Sequence, residues 1–447
     1  MKNLPEAFCA RMQELLKDEY TEFIKALNEN PVRAFRVNTD KISVDEFKSI
    51  NPFNTKEIPF IENGFYFDHD KIGLHPFHHA GLIYVQEPAA MTPAECIDIK
   101  PDWNIVDMCA APGGKSSQLK NKIPNGVLVA NEIIPSRCKI LTGNIERLGL
   151  KNTVTTCMDT LSLADAFEHT FDLCLCDAPC SGEGMFRKDD TAVFQWSEEN
   201  VKMCALRQAE ILDNAARLVK ANGYIIYSTC TFSLEENEMA VDAFLSRHKN
   251  FELCRVTNRV EENTSDGIKF SGCTTENIHL CRRFYPHQHK GEGQFMAVLK
   301  NTDRDNYALP HNKQKAPNKI VLDFLNDTLA EYDKSFVTQN GDTPIYFTPE
   351  FDIKNARAFS VGVNIGEIRK NYIVPHHQFF MAMGKDFKRK IDLPFDSDLL
   401  QKYLHGEEIP TDLENGWAAV LVNGCTVGGA KIVNGIAKNH YPKGLRI

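Results

Sequence analysis

No run in this chain approaches the roughly 18 consecutive apolar residues that a membrane-spanning helix needs. The opening Met1-Lys2-Asn3-Leu4-Pro5-Glu6 also lacks a basic stretch followed by an apolar one, so a cytoplasmic address without membrane association is expected. An excess of positive charge is missing too: 51 Lys and Arg stand against 60 Asp and Glu, a formal net charge of −9. That excludes a surface coated uniformly in basic residues. It leaves room for a nucleic-acid partner, because such affinity follows local fields rather than the sum. No internal repeat or long low-complexity tract occurs, which argues against solenoid and fibrous architectures. The 14 cysteines lack metal-ligand spacing, since Cys174-x-Cys176-x3-Cys180 does not fit a zinc knuckle and has no histidine close by. Several lie inside apolar strand patterns. Reduced thiols, without a disulfide scaffold or a metal, are therefore expected.

What is present supports two or three domains: 447 residues with 43% hydrophobic content can build their cores. Residues 1–80 begin with helical patterns (Phe8, Met12, Leu15, Leu16; then Phe23, Ile24, Leu27) and continue into a short strand at Ala34 to Asn38, an α+β N-terminal domain. Residues 81–300 alternate strand and helix. Strands are expected at 104–109, 126–131, 153–158, 171–176, 224–229 and 294–299, with helices at 116–122, 136–148, 200–219 and 234–248. The third helix places Val201, Ala205, Leu212, Ala215, Ala216 and Val219 on one face, and Ser233-x-x-Glu236 gives the fourth a capping box. Such alternation predicts an α/β fold, a parallel sheet with helices on both faces. Residues 301–319 are polar with two prolines, a linker, and 320–447 mixes short strands with glycines, a mostly β region. Two basic clusters occur, one at Arg282, Arg283 and Lys290 with His287 and His289, the other at Lys431, Lys438, Lys443 and Arg446. Alone, each fits a solvated surface better than an RNA contact.

The strand at 104–109 opens into Cys109-Ala110-Ala111-Pro112-Gly113-Gly114-Lys115. A phosphate-binding loop needs a glycine where Cys109 stands, and a dinucleotide fingerprint needs glycines that are not adjacent. A turn of small residues remains, one that lets backbone approach a ligand closely. Glu132, Asp159 and Asp177 end the next three strands, and a carboxylate at Glu132 can take both hydroxyls of a ribose. Three acids around one crevice disfavour a polyphosphate and suit S-adenosylmethionine, whose sulfonium and ammonium are cationic. Each acid taken alone could equally cap a helix.

Two cysteines stand at the ends of apolar strands: Asp177-Ala178-Pro179-Cys180-Ser181-Gly182 and Ser228-Thr229-Cys230-Thr231. Ligands sit at the carboxyl ends of strands in open parallel sheets, so both thiols should face one crevice. Methyl transfer to carbon 5 of a pyrimidine needs such a thiol, because addition at carbon 6 makes carbon 5 nucleophilic. Cys230 and Cys180 are both candidates for that thiol. Asp177 can hold the polar edge of the base, and Lys115 can supply positive charge that lowers a thiol pKa. Inert burial is the ordinary fate of cysteine, and is expected of Cys9, Cys96, Cys138, Cys157, Cys174, Cys176, Cys204, Cys254, Cys273, Cys281 and Cys425.

These segments, Asp107 to Lys115, Asp177 to Gly184 and Ser228 to Thr231, resemble in sequence, order and spacing the signatures of the Sun/Nop-type RNA cytosine-5 methyltransferases. The resemblance implies that Cys230 is the nucleophile and that Cys180 assists release of the methylated base. Phe35 to Thr39, Gln86 to Met91, Val363 to Ile368 and Lys438 to Arg446 resemble outer elements of the bacterial ribosomal enzymes of RsmF type. That implies a Rossmann-like, S-adenosylmethionine-dependent methyltransferase core, a small N-terminal RNA-binding domain and a C-terminal PUA-like, mostly β RNA-binding region. The partner implied is RNA, 16S ribosomal RNA in the small subunit or its precursor, acted on by a monomer. Transfer RNA is the alternative substrate, and an inactive RNA-binding assembly factor the alternative function. A chain ending near residue 310, if folded, is expected to keep cofactor binding and to lose most of its RNA affinity.

Overall fold

The computed structural model describes residues 3–304, 316–353 and 356–447. Most of the expected linker, residues 305–315, lies outside them. The N-terminal part carries α1 (Glu6–Leu16), α2 (Tyr20–Leu27), α3 (Val44–Ile50) and α4 (Pro76–His79) with a four-stranded antiparallel sheet. Its strands are β1 (Ala34–Val37), β2 (Thr55–Glu57), β3 (Gly64–Phe67) and β4 (Ile83–Val85), in the order β2-β3-β1-β4. Val44 follows a capping box in which Ser43 and Glu46 satisfy each other's backbone N–H, which fixes where α3 begins.

The second sheet has ten strands. Five run parallel, in the order β7-β6-β5-β8-β9: β5 (Ile105–Asp107), β6 (Leu128–Asn131), β7 (Thr153–Thr156), β8 (Phe171–Asp177) and β9 (Val219–Thr229). Beyond β9 the sheet turns antiparallel, with β10 (Phe251–Cys254), β11 (Ser265–Asp266), β12 (Arg282–Phe284) and β13 (Gln294–Asn301). The expected sheet was parallel throughout. The sixth expected strand, β13, pairs with β9 in the opposite sense, a mixed arrangement that apolar periodicity does not distinguish.

Between the parallel strands lie α5 (Gly114–Lys122), α6 (Pro135–Leu148), α7 (Thr160–Ala166), α8 (Asp190–Gln195), α9 (Glu198–Leu218) and, after β9, α10 (Glu238–Arg247). Alternation along the strands feeds two cores. Cys174 and Cys176 face the cluster with Leu212, Ala215 and Leu218 of α9, while Leu173 and Leu175 face Leu119 and Ile123. Cys174 and Cys176 are thus fully buried, and all 14 cysteines are free. The buried stripe of α9 is Val201, Cys204, Gln208, Ile211, Leu212, Ala215 and Leu218; Val219 already belongs to β9.

Two expectations fail here. The capping box at Ser233 and Glu236 does not form: α10 starts at Glu238, its N-cap Asn237 makes no side-chain cap bond, and both side chains turn to another loop. The cluster at Arg282 and Arg283 is not a solvated surface either. Arg283 is 1% exposed and forks onto Glu238, donating Nε to Oε1 at 2.7 Å, while its Nη1 donates to the Phe232 carbonyl at 2.9 Å. Arg282 is buried against Asp266 and the Thr264 hydroxyl, and His287 meets Glu19. Arg283→Met should cost about 3–5 kcal/mol, because it leaves Glu238 buried without its counter-charge. Denaturant unfolding at neutral pH checks this, and a cost under 1 kcal/mol would refute it.

The region beyond residue 316 is not appended through a linker alone. Its strand Ala358–Val361 extends the ten-stranded sheet, pairing with β7 through Ala358 to Thr156 and Val361 to Val154. Phe347 and Phe351 join the α/β core, with Phe351 5.9 Å from Phe167 and 6.1 Å from Phe171 between ring centroids. A chain ending near residue 310 would therefore lack part of this core. The last part forms a five-stranded sheet, Lys390–Leu393, Gly416–Val422, Cys425–Val433, Ile436–Asn439 and Ile409–Pro410 in spatial order. Its residues Tyr403, Val420 and Val427 share one buried cluster with Phe35, Phe47 and Phe77 of the N-terminal part. No helix among the described residues is long and apolar enough to cross a membrane.

Candidate active site

β5 ends at Asp107, and the chain turns through Cys109 to Gly113 before α5 begins at Gly114. Gly113 has φ +110°, a conformation that L side chains resist. At the root of this loop Asp107 is buried. One carboxylate oxygen accepts from Ser116 Oγ at 2.6 Å; the other, Oδ1, has no hydrogen-bond partner among the described residues. Burial pushes the Asp107 pKa up to about 7. An orphaned buried acceptor fits a ligand that brings donors or positive charge. Cys109 is pushed above the ordinary thiol range by burial and then by the Asp107 and Asp177 charges, which makes it a wall of the loop rather than a nucleophile.

Arg36 of β1 fastens the loop to the N-terminal sheet. It is 1% exposed and donates to Gln86 Oε1 at 2.8 Å, to the Gly114 carbonyl at 2.6 Å and to Ser117 Oγ at 2.9 Å. On the other side Arg137 donates to the Ala111 carbonyl at 2.9 Å and Asn144 to the Pro112 carbonyl at 2.9 Å. Alanines and prolines supply no side-chain anchors, so the turn is held through its carbonyls.

Glu132 follows β6 and is 2% exposed. Its Oε1 accepts from Ile134 N at 2.9 Å and its Oε2 pairs with Arg137 at 3.1 Å, which leaves lone pairs for further donors. Asp159 is the N-cap of α7, its two oxygens taken by the N–H and hydroxyl of Ser162, both at 2.8 Å. It lines a 560 Å³ cavity with Ile133, Cys157, Met158 and Arg357. The capping role weighed for Asp159 is therefore real, and it coexists with a place on that cavity wall.

Asp177 ends β8 and meets Lys115 across the crevice at 2.8 Å, with Ser228 Oγ donating to its other oxygen at 2.6 Å and Gln294 Nε2 at 3.3 Å. Burial works against the Lys115 ammonium, but the Asp177 carboxylate outweighs it and holds the pKa above the ordinary lysine value. Lys115 stays charged within electrostatic reach of Cys230.

Parallel pairing of β8 with β9 sets Asp177 beside Ser228, so the segments after both strands leave the sheet together. Cys180 Sγ and Cys230 Sγ end 3.2 Å apart, both partly exposed. The expectation of one shared crevice is met in the strictest sense, thiol against thiol. Gly184 allows the closeness. Its N–H donates to the Cys230 carbonyl at 2.9 Å, and a Cβ there would lie 2.8 Å from Gly293 Cα and 2.9 Å from that carbonyl oxygen. Two buried acids, Glu183 and Glu236, span the same loops.

Sequence reasoning named Cys230, Cys180, Asp177, Lys115, the 109–115 loop, Glu132 and Asp159; Lys115 and Asp177 meet at the strand ends that lead to the two thiols, Glu132 and Asp177 lie within electrostatic reach of Cys109, and Asp159 lines the cavity with Arg357. It missed Arg36, Arg137, Ser228, Gln294, Glu183 and Glu236. Arg36 and Ser228 lay inside quoted segments, yet nothing in their spacing revealed what they hold.

The chain matches three family descriptions: 16S rRNA methyltransferase RsmB/F over residues 94–300, the N-terminal domain of 16S rRNA methyltransferase RsmF over 4–88, and the methyltransferase RsmF PUA domain over 390–447. A curated relative named ribosomal RNA small subunit methyltransferase F, from Aliivibrio salmonicida (strain LFI1238), is 30% identical across 99% of this chain and 97% of its own. Another of that name, from Vibrio vulnificus (strain YJ016), is 29% identical across 99% and 97%. Among solved structures, a methyltransferase homolog protein from Pyrococcus horikoshii aligns with a TM-score of 0.59 at 30% identity, over 67% of this chain and 96% of that one. NSun6 from the same organism with SFG gives 0.56 at 23%, over 67% and 99%, a likeness of fold alone. Matched from end to end, the chain belongs to the ribosomal RNA small subunit methyltransferase F family of S-adenosylmethionine-dependent methyltransferases.

Proposed function

We propose that this chain methylates carbon 5 of cytidine in 16S ribosomal RNA through a covalent bond between Cys230 and carbon 6. The observation that carries this reading is the thiol pair at 3.2 Å, set beside the Lys115–Asp177 ion pair at the carboxyl ends of adjacent strands. One reactive thiol suffices for many transfers. Two thiols on one crevice suit a reaction that must both form and break a carbon–sulfur bond.

The Cys230 thiolate forms a bond to carbon 6, and the displaced electron pair moves to carbon 5. Asp177 holds the polar edge of the base, and Lys115 offsets negative charge beside Cys230. When bound, S-adenosylmethionine supplies an electrophilic methyl group for carbon 5. Residues 109–115, Glu132, Asp159 and Asp177 would hold that cofactor. Solvent water then takes the carbon 5 proton, and the ring is restored as the carbon–sulfur bond breaks and its electron pair returns to the Cys230 thiolate, with Cys180 assisting that release. The exposed Lys431, Lys438, Lys443 and Arg446 of the PUA-like region supply phosphate contacts and help choose the RNA.

Bisulfite sequencing of 16S ribosomal RNA from a deletion strain tests the substrate: at least one cytidine should lose its protection. Loss of protection confined to transfer RNA would replace this substrate with the alternative one. Glu132→Ala should weaken S-adenosylmethionine binding by about 1–3 kcal/mol, the range for losing hydrogen bonds to a charged group. Calorimetry decides it, and unchanged affinity would remove Glu132 from the cofactor site.

A further inference from the structure

Two carboxylates have no part in the chemistry above, yet each belongs to one thiol-bearing loop and holds the other. Glu236, six residues after Cys230, accepts from Ser181 N at 2.9 Å and Ser181 Oγ at 2.5 Å, and from Gln208 Nε2 at 2.9 Å. Glu183, three residues after Cys180, accepts from Phe232 N at 2.9 Å and Ser233 Oγ at 2.7 Å, and from Trp196 Nε1 at 2.9 Å. The Ser181 and Thr231 hydroxyls, each next to a thiol residue, meet at 2.8 Å. Glu183 and Glu236 are both 0% exposed. The clasp is reciprocal.

Tying two loops together does not require charge. Apolar residues of similar volume hold buried segments as well, or better, than buried ions do. Glu236 nevertheless has no salt-bridge partner among the described residues, and Gln208 also donates to the Pro179 carbonyl, the residue before Cys180. Glu236 therefore sits against the turn that carries Cys180, through Ser181 and Gln208, while Lys115 meets Asp177, which is bonded to Ser228 two residues before Cys230.

We propose that Glu236 is a positioning residue that divides the labour of the thiols, its carboxylate clasped to the turn that carries Cys180 so that Cys230 alone competes for carbon 6. In keeping with that geometry, the Cys180 thiol is pushed well above the ordinary range, first by its hydrogen bond with Cys230, then by burial and by the Cys230 and Glu236 charges. Burial likewise pushes Glu236 up to about 7, against the Ser181 and Gln208 hydrogen bonds. The groups facing this pair are Cys204 on α9, Tyr227 on β9, Glu183 with Arg11 of α1 behind it, and Lys115 with Asp177 beside Cys230. None of them places a cation against Glu236.

The meaning of this division rests on the cytosine-5 reading, but its test does not. The full chain is alkylated with iodoacetamide across a pH series, and each cysteine is followed by peptide mass spectrometry. In the unaltered protein Cys180 should reach half-reaction only above the ordinary thiol range. Glu236→Gln should lower that midpoint by about one pH unit, the scale of removing one nearby like charge, and Glu236→Asp should restore it. Cys254, remote from the clasp, should not move. An ordinary midpoint for Cys180 in the unaltered protein, or one that Glu236→Gln leaves in place, overturns the proposal. Should Glu236→Gln not fold, Glu236→Met decides instead: it also removes the charge at similar volume, so the Cys180 midpoint must fall by a similar amount, and a midpoint left in place overturns the role of Glu236. Alkylation needs neither RNA nor methyl transfer, so a chain inactive on cytidine would still show the shift.

Discussion

Cys230→Ala is expected to abolish methylation, a loss of at least about 10⁴-fold, and to leave no covalent protein–RNA complex. Cys180→Ala is expected to behave differently. Its adduct should form and then stall, so that a protein–RNA band survives denaturing electrophoresis even with unmodified cytidine. The geometry makes the two outcomes separable, because the sulfurs lie 3.2 Å apart and only one can bond to carbon 6 at a time. Lys115, charged and beside Cys230, offsets negative charge on that side of the crevice, whereas Cys180 is held as a thiol by its hydrogen bond with Cys230 and by burial. A trapped complex in the Cys230 variant, with none in the Cys180 variant, would reverse the assignment.

The parallel strands and the thiols at their ends were legible because each carries a local signal: an apolar run of strand length, then a small-residue turn. Even so, β13 came out antiparallel, since direction is a property of the connection and leaves no trace in a run such as Phe295 to Leu299. The carboxylates show the limit differently. Asp177, Glu132 and Asp159 could be named because they close strands. Glu183 and Glu236 could not, because what defines them is a hydrogen bond to a residue about 50 positions away, Glu183 to Ser233 and Glu236 to Ser181. Ser233-x-x-Glu236 has the form of a capping box, and that local bond lost to a tertiary one. Arg282 and Arg283 misled in the same way, since two adjacent arginines look like surface until Glu238 and Asp266 are seen against them.

A chain ending near residue 310 should fail to fold into a cofactor-binding protein. Its loss would uncover the edge of β7, where Gly362 N donates to the Thr153 carbonyl at 2.8 Å and Thr348 N to Asn152 Oδ1 at 3.1 Å. It would also strip Phe347 and Phe351 from Phe167 and Phe171, and Tyr403, Val420 and Val427 from the cluster they share with Phe35 and Phe77. Full burial of one such side chain contributes about 1.5–3 kcal/mol, so losing these five exceeds much of the roughly 5–15 kcal/mol that holds a whole domain. The freed strand edge adds an aggregation surface. The expected result is insoluble protein, or soluble protein without a cooperative thermal transition and without S-adenosylmethionine binding in calorimetry. Phe351→Ala in the full chain separates packing from RNA contact: it should cost about 3–5 kcal/mol in denaturant unfolding while leaving the exposed Lys431 and Lys438 in place. A truncated chain that unfolds cooperatively and binds the cofactor as the full chain does would show the α/β sheet to be self-sufficient, its tenth strand, Ala358–Val361, contributing only RNA placement.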